Sequence, residues 1–192
     1  MTKYLSAAET AKVVRKMLKT EFPNTKFSVR SESYSMGSAV SVRWTDGPIE
    51  SEVDSVVGAL AGSGFDSMID LKYTVTHWMT PDGKITIANS QGSTGSSGIH
   101  NQKPCNEAIE VNFADHISCN RKYSEEFLDR IAKRINEKMF NGKPVALVEH
   151  GGLNTSEMII NRVFWRIQSS CKIVNNKIIC NTDEYSDIIS EK

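Results

Sequence analysis

Three stretches of the chain each place two runs of alternating apolar residues around a short turn, and this pattern constrains the fold most. The turns lie at residues 34–38, at residues 80–83 and at the pair Asn175-Asn176. Asparagine tolerates a positive φ, and Pro-Asp-Gly favours a reverse turn, so these stretches are typical of β-hairpins. Because hairpins pair their strands antiparallel, we predict an antiparallel sheet as the framework of the fold.

The last hairpin also has a register that can be counted from its turn. Counting outward from the two asparagines pairs Ile173 with Ile178 and Cys171 with Cys180. The cysteines then form a non-hydrogen-bonded pair, where Cβ atoms lie closest, and this suits a cross-strand disulfide or half of a metal site. We favour reduced thiols packed on the sheet, because we expect the chain in the cytosol.

Four segments combine a capping residue with apolar residues at helical spacing. The first has a complete capping box, in which Glu9 follows the cap by three residues, and it ends at Pro23. The predicted helices begin at Ser6, Ser51, Ser124 and Asn154.

These elements predict an α+β protein in which helices pack on one face of an antiparallel sheet, followed by a C-terminal helix and β-hairpin. We place one α+β domain at residues 1–145, with a flexible Gly/Ser loop or internal linker at 89–104. Residues 146–192 form a helix-hairpin extension packed on the same unit. The polar tail at 183–192 is expected to fray.

Charge and hydropathy limit the classes of partner. The chain has 23 basic and 23 acidic residues among 192, so a global attraction to nucleic acid or to an anionic membrane is not indicated. It contains no run of about 18 apolar residues, and no transmembrane helix is predicted. The N-terminal residues lack the apolar core of a secretory signal, so we expect a cytoplasmic protein.

Charge is nevertheless segregated locally. One face of the first helix and one face of the third are basic, whereas only acidic charges lie between Arg43 and Lys72. Such faces can bind phosphates or an acidic protein, and the turns near residues 34 and 46 can present side chains to a ligand. The alternative is ordinary solvated helix faces, with Trp44 in the core and a simple Asp-Gly-Pro turn. The candidate partner-binding residues are Lys12, Arg15, Lys16, Lys19, Tyr34, Arg43, Asp46, Arg130, Lys133 and Arg134.

No catalytic or cofactor motif is recognised. Asp115, His116 and Cys119 contain the parts of a thiolate pair or of a zinc site, but a closed zinc site needs four ligands. We therefore favour a partly buried histidine and an inert thiol. The Gly/Ser segment lacks the Gly-Lys-Ser/Thr ending of a phosphate loop. We assign no catalytic residue, no metal and no cofactor, and we predict that the protein is not an enzyme.

A family resemblance is carried by pieces in a fixed order, at residues 10–15, 18–19, 22–23, 26–30, 34–35, 42–48, 65–70 and 117–124. Through them, residues 5 to 140 or so resemble the large polyvalent-protein-associated domain 29 family of phage and conjugative-element proteins. The resemblance implies an origin in a bacterial mobile element and action beside other proteins against host defence. It carries no established catalytic residues.

Residues and resemblance together predict a non-enzymatic binding protein of a phage or plasmid, in the cytoplasm of a bacterial host, that inhibits a host defence or housekeeping complex. Its partner is then a host or mobile-element protein. The alternative is an accessory protein that binds nucleic acid through the basic faces of the helices.

Overall fold

The computed structural model describes residues 2–92, 98–139, 166, 169–181 and 189–191. The described elements, in chain order, are β1 (Lys3–Tyr4), α1 (Ala7–Glu21), β2 (Ser28–Tyr34), β3 (Gly37–Thr45), α2 (Glu50–Val57) with a following 3-10 turn (Gly58–Leu60), β4 (Ser63–Asp66), β5 (Leu71–Met79), β6 (Ile85–Ser90), β7 (Ile99–His100), β8 (Ile109–Asn112), β9 (His116–Lys122), α3 (Glu125–Met139), β10 (Cys171–Val174) and β11 (Lys177–Cys180). The predicted α+β class, with its C-terminal hairpin, is confirmed.

The chain divides into two compact units. The first comprises Met1–Arg43 and Ser51–Asn120, and the second comprises Trp44–Glu50 and Arg121–Lys192. The domain boundary that we predicted after residue 145 lies outside the described residues.

Helix α1 follows its sequence signals closely. The Ser6 hydroxyl accepts a hydrogen bond from the Glu9 amide, and the Glu9 carboxylate accepts one from the Ser6 amide, so both halves of the capping box are present. Ala11, Val14 and Leu18 are buried on one face. The helix is therefore held by a cap at its start and by an apolar stripe along its length.

Most of the first unit is built on one mixed sheet with the order β1-β8-β5-β6-β7, and β4 pairs with β5 beside it. The pairs among β4 to β8 are antiparallel, whereas β1 runs parallel to β8. The predicted Gly/Ser segment joins β6 to β7, which are paired neighbours in this sheet. Residues 93–97 within it lie outside the described part.

A second, three-stranded sheet has the order β2-β3-β9. The β2–β3 hairpin closes through the two residues Ser35 and Met36, with Tyr34 opposite Gly37. Val40 and Val42 are buried on one side of β3, and Trp44 continues the same alternation into the second unit. This buried face agrees with the alternation on which the strand was predicted.

The second unit packs α3 against the β10–β11 hairpin. Phe127, Ile131 and Ile135 form the buried stripe of α3, and the Ser124 hydroxyl caps the helix by accepting a hydrogen bond from the Phe127 amide at 3.1 Å. Their core partners are Cys171, Ile178, Cys180 and Ile189. The hairpin has the predicted register, and its two turn asparagines both have a positive φ, at 49° and 62°.

Two expectations about this unit are wrong. Cys171 and Cys180 form a disulfide instead of two reduced thiols. The register brings the two residues opposite each other, and both side chains are buried in the core. The tail does not fray at residues 189–191, because Ile189 is fully buried and the Glu191 amide donates to the Ile178 carbonyl at 2.8 Å.

The predicted helix from Asn154 is mostly outside the described residues. Arg166, Ser169 and Ser170 are helical and precede β10. Within the parts of the chain that the structure describes, no helix has the length and apolar character needed to cross a membrane.

Candidate functional site

The tip of the β4–β5 hairpin exposes four large apolar side chains within seven residues. Phe65 is 57% exposed, Met68 79%, Ile69 53% and Leu71 43%. Taking about 200 Å² for a fully exposed large side chain, they leave on the order of 450 Å² of side-chain surface in water. Patches of this size on a soluble protein often mark an interaction site, whereas single exposed apolar residues do not.

The tip is held in one conformation by its polar residues. Asp66 is buried at 3% exposure, and its carboxylate accepts a hydrogen bond from the Met68 amide at 2.9 Å, which is the geometry of an Asx turn. Asp70 closes the turn with a positive φ of 53°. The Tyr73 ring lies across the strand pair over Gly64, where it occupies the space of a Cβ. The apolar side chains therefore project from a preorganised turn.

Asp115 joins this hairpin to the β2–β3 hairpin. One carboxylate oxygen pairs with the Lys72 ammonium at 2.5 Å, and the other accepts hydrogen bonds from the Ser38 amide and hydroxyl at 2.8 and 3.1 Å. The Asp115 carbonyl accepts a further hydrogen bond from the Ser63 hydroxyl at 2.9 Å. Residues of β3, β4 and β5 are thus tied to a single aspartate, which we call the Asp115 clamp.

The protonation of the clamp follows from its contacts. Partial burial raises the pKa of Asp115, but the hydrogen bonds from Lys72 and Ser38 outweigh it and bring the pKa below the ordinary value for an aspartate. The carboxylate is therefore ionised at neutral pH, as its role as an acceptor requires.

The turn of the β2–β3 hairpin adds two more exposed side chains near the clamp. Tyr34 is 47% exposed and Met36 88%. A Cβ on Gly37 would lie 2.9 Å from the Tyr34 ring and 3.2 Å from an Asp115 oxygen, so Tyr34 packs close to the clamp. We call these two residues, with Phe65, Met68, Ile69 and Leu71, the tip surface.

The tip surface was not identified from the sequence, except that Tyr34 belonged to the candidate set. A signal for it was present, because residues 65–71 carry four apolar residues that are interrupted by Asp66, Ser67 and Asp70 and do not follow the alternation of a core strand. Residues 65–70 also belong to the pieces that carry the family resemblance.

The side chains of the basic face predicted on α1 are all exposed, but one of them is bound to the neighbouring strand. Lys12, Lys16 and Lys19 point to solvent, and no ion pair holds their ammonium groups among the described residues. Arg15 instead donates to the Val29 carbonyl of β2 at 2.6 Å. The structure therefore brings three lysines together on this helix, while the arginine fastens the helix to the neighbouring strand.

Two of the three basic side chains predicted to form a face on α3 are bound to other residues of the second unit. Arg130 donates to the side chain and carbonyl of Asn176 and pairs with Glu191 at 3.1 Å. Arg134 donates to the carbonyls of Ile189 and Ser190. Lys133 is exposed, and no hydrogen bond or ion pair of its side chain occurs within the described segments.

The side chains of Asp46 and Trp44 form hydrogen bonds with other residues of the protein. The Asp46 carboxylate accepts hydrogen bonds from the Ser124 amide and hydroxyl at 2.9 and 2.7 Å, beside the start of α3. The Trp44 side chain is buried, and its indole donates to the Pro48 carbonyl. Arg43 is exposed at the end of β3 in the first unit. The interpretation of residues 46–48 as turn chemistry thus has direct support.

The suggested His–Cys pair is not formed. His116 and Cys119 lie three residues apart on β9, so their side chains point to opposite faces of the strand. No group of three or more His, Cys, Asp or Glu side chains suited to a metal ion occurs in the described ranges. Asp115, the third member of that set, serves in the clamp.

One buried titratable residue was missed entirely. His77 is 1% exposed, its Nε2 lies 2.7 Å from the Ala59 carbonyl, and its ring meets Phe113 edge-on. Burial lowers the pKa of His77 despite that hydrogen bond, so the ring is neutral at neutral pH. It lies on the core side of β5, away from the tip surface, and fits a packing role.

Comparison with known proteins identifies the family. The model of the family Large polyvalent protein associated domain 29 matches residues 5–124, which is more than half of the chain. The chain belongs to this family. No curated protein and no solved structure matches the chain.

Membership of the domain 29 family confirms the resemblance drawn from the sequence and marks the protein as one associated with phages or mobile elements. The family is not a known enzyme family. The matched range contains both hairpins of the tip surface and the Asp115 clamp, whereas α3 and the β10–β11 hairpin follow it.

Proposed function

We propose that this domain 29 protein is a non-enzymatic binding protein of a phage or plasmid, and that its tip surface docks on a host protein in the bacterial cytoplasm. The observation that carries the proposal is the group of four exposed apolar residues on the rigid β4–β5 turn. The bound host protein belongs to a defence or housekeeping complex, which the docking inhibits.

The four apolar side chains of the β4–β5 turn are only part of the surface that a stable interface needs. Burying about 450 Å² at roughly 25 cal/mol per Å² yields on the order of 11 kcal/mol before costs. Association costs an estimated 4–15 kcal/mol in lost freedom, so the β4–β5 turn alone gives weak binding. Tyr34 and Met36 bring the exposed side-chain surface to on the order of 700 Å², close to the roughly 800 Å² per partner of a standard interface.

The tip surface is already ordered before it binds, and this favours docking. A flexible turn would lose conformational entropy on binding, whereas the Asx turn at Asp66 and the Asp115 clamp already order the exposed side chains.

Affinity purification of three tagged proteins tests the proposal. Each is recovered from a nuclease-treated bacterial lysate, and the three are wild type, Met68→Glu and Val174→Glu. Val174 is the matched control, because it is a partly exposed apolar residue on the hairpin of the second unit. We expect a partner that is retained by wild type and Val174→Glu and lost by Met68→Glu. A partner retained equally by all three would refute docking through the tip surface.

The second candidate function is binding of nucleic acid, and the exposed lysines of α1 favour it. Lys12, Lys16 and Lys19 lie on one helix. If they contact phosphates, affinity for a nucleic acid must fall steeply as salt rises. Glutamate substitutions at Lys12 and Lys16 would then abolish binding, and unchanged binding would reject this surface.

A further inference from the structure

A shallow groove of about 320 Å³ lies on the first unit's main sheet, on the face opposite His77. Trp78 and Glu110 are cross-strand partners on this face, whereas their neighbours His77 and Val111 face the core. The groove is lined by Trp78, Asn89, His100, Asn101, Gln102 and Glu110. None of these residues belongs to the tip surface.

A β-bulge shapes the groove. Thr76 pairs with Asn89 and His77 with Ile87, which leaves Ala88 as an extra residue on β6. Bulges bend a strand and redirect its side chains, and they are frequent beside functional sites. Here both Ala88 and the following Asn89 contribute to the lining.

One wall of the groove is fixed by Asn101. Its amide groups donate to the Ile87 and Ala88 carbonyls, each at 2.8 Å, and its own carbonyl accepts from the Trp78 indole at 2.9 Å. The polar edge of the indole is therefore used within the protein. What Trp78 offers a ligand is the apolar surface of its ring.

Glu110 supplies the charge. Its two carboxylate oxygens accept hydrogen bonds from Thr76 at 2.7 Å and Thr2 at 2.8 Å. These bonds lower the pKa of Glu110, so the group is an ionised acceptor at neutral pH, and each oxygen retains a further lone pair. No lysine or arginine lines the groove.

We propose that this groove binds a nucleobase that carries an exocyclic amino group, as adenine, cytosine and guanine do. The base stacks on Trp78, as bases do on aromatic side chains in proteins that bind single strands. The amino group donates to Glu110, and the amides of Asn89 and Gln102 lie beside the rest of the polar edge. The proposal is independent of docking at the tip surface.

The lining decides against a phosphate as the recognised group. Phosphate recognition relies on lysine, arginine or helix amides, and here the only fixed charge is negative. An uncharged base meets no such repulsion. Inosine and uridine carry a carbonyl where adenosine and cytidine carry the amino group. They offer the carboxylate only the neighbouring ring N–H, beside a carbonyl that repels it, and they bind less well.

The test compares nucleosides that differ in one group. The tryptophan fluorescence and the amide NMR spectrum of the full chain are titrated with adenosine and inosine, and with cytidine and uridine. We expect each amino nucleoside to bind at least about tenfold more tightly than its oxo counterpart, and adenosine monophosphate to bind no more tightly than adenosine. Equal affinities, a much tighter monophosphate, or no shift at millimolar nucleoside would overturn the proposal.

Two conservative variants locate the site, and the NMR spectrum of each shows whether its fold is intact. Trp78→Phe keeps an aromatic ring of smaller surface and is expected to weaken adenosine severalfold. Glu110→Gln removes the charge and is expected to erase the preference for amino nucleosides. Full preference in Glu110→Gln with an intact NMR spectrum would contradict the assignment. Short oligoadenylates distinguish the source of the base, because affinity that rises with length indicates a strand and constant affinity indicates a free nucleoside.

Discussion

The disulfide between Cys171 and Cys180 allows the sharpest prediction about stability. It closes a loop of ten residues, with a sequence separation of 9. In the chain-entropy account, closing such a loop lowers the entropy of the unfolded chain by about 9 cal/mol/K, or about 2.7 kcal/mol at 25 °C. We therefore predict that reduction lowers the free energy of unfolding by about this amount.

The assay is thermal unfolding with and without a phosphine reductant. For a chain of this length, a loss of about 2.7 kcal/mol corresponds to a decrease in Tm of about 5–10 °C. The double variant Cys171→Ala/Cys180→Ala must unfold at the same temperature with and without reductant. The matched control Cys105→Ala/Cys119→Ala keeps the disulfide and must respond to reductant as wild type does.

Two results would refute this reasoning. If reductant leaves the Tm of wild type unchanged while mass spectrometry shows both thiols free, the bond does not stabilise the fold. If the Cys105→Ala/Cys119→Ala control loses its response, the wild-type shift arose from those cysteines. Cys171 and Cys180 lie in one buried cluster with Ile178 and Phe127, so we expect the bond between them to stabilise this unit.

Three further predictions concern the first unit. Gly62→Ala should cost about 1–3 kcal/mol in urea unfolding, because a Cβ there would lie 2.2 Å from the Phe113 carbonyl oxygen, and an unchanged midpoint would contradict that close approach. Because the folded pKa of Asp115 is lowered, its contribution is fully present above the ordinary aspartate pKa and is lost as pH falls through the folded pKa, so the difference in stability between wild type and Asp115→Asn should shrink as the solution is acidified; a difference that stays constant would contradict the clamp. Ser6→Ala should cost about 1 kcal/mol through loss of the α1 cap, and no loss in thermal unfolding would show that the capping box does not contribute.

Local signals predicted much of the fold because they act within a few residues. The capping box of Ser6 and Glu9 and the Asn175-Asn176 turn each determine their own geometry, so both could be derived from neighbours in sequence. Strands β1 and β7 have only two residues each, too few to show an alternation. Strand β9 alternates only weakly in hydropathy, and its polar residues suggested a reactive site.

The candidate site was harder to predict because it depends on contacts distant in sequence. Asp115 reaches Ser38 and Lys72, which lie 77 and 43 positions away, and no local pattern reports such contacts. The contacts of Arg130 and Arg134 are also distant in sequence. Their helical spacing indicated a basic face, but their guanidinium groups bind the hairpin and the tail. Burial and pairing, which decide whether a charge is available, appear only in the folded chain.

Site-specific photo-cross-linking in bacterial cells tests most directly whether the tip surface docks on a host protein. A photoreactive amino acid is placed at position 68, at position 16 on α1, or at position 174 on the second-unit hairpin. We predict a covalent adduct with one protein from position 68 that survives nuclease treatment, and none from position 174. Adducts from position 16 alone, or equal adducts from all three positions, would contradict the account.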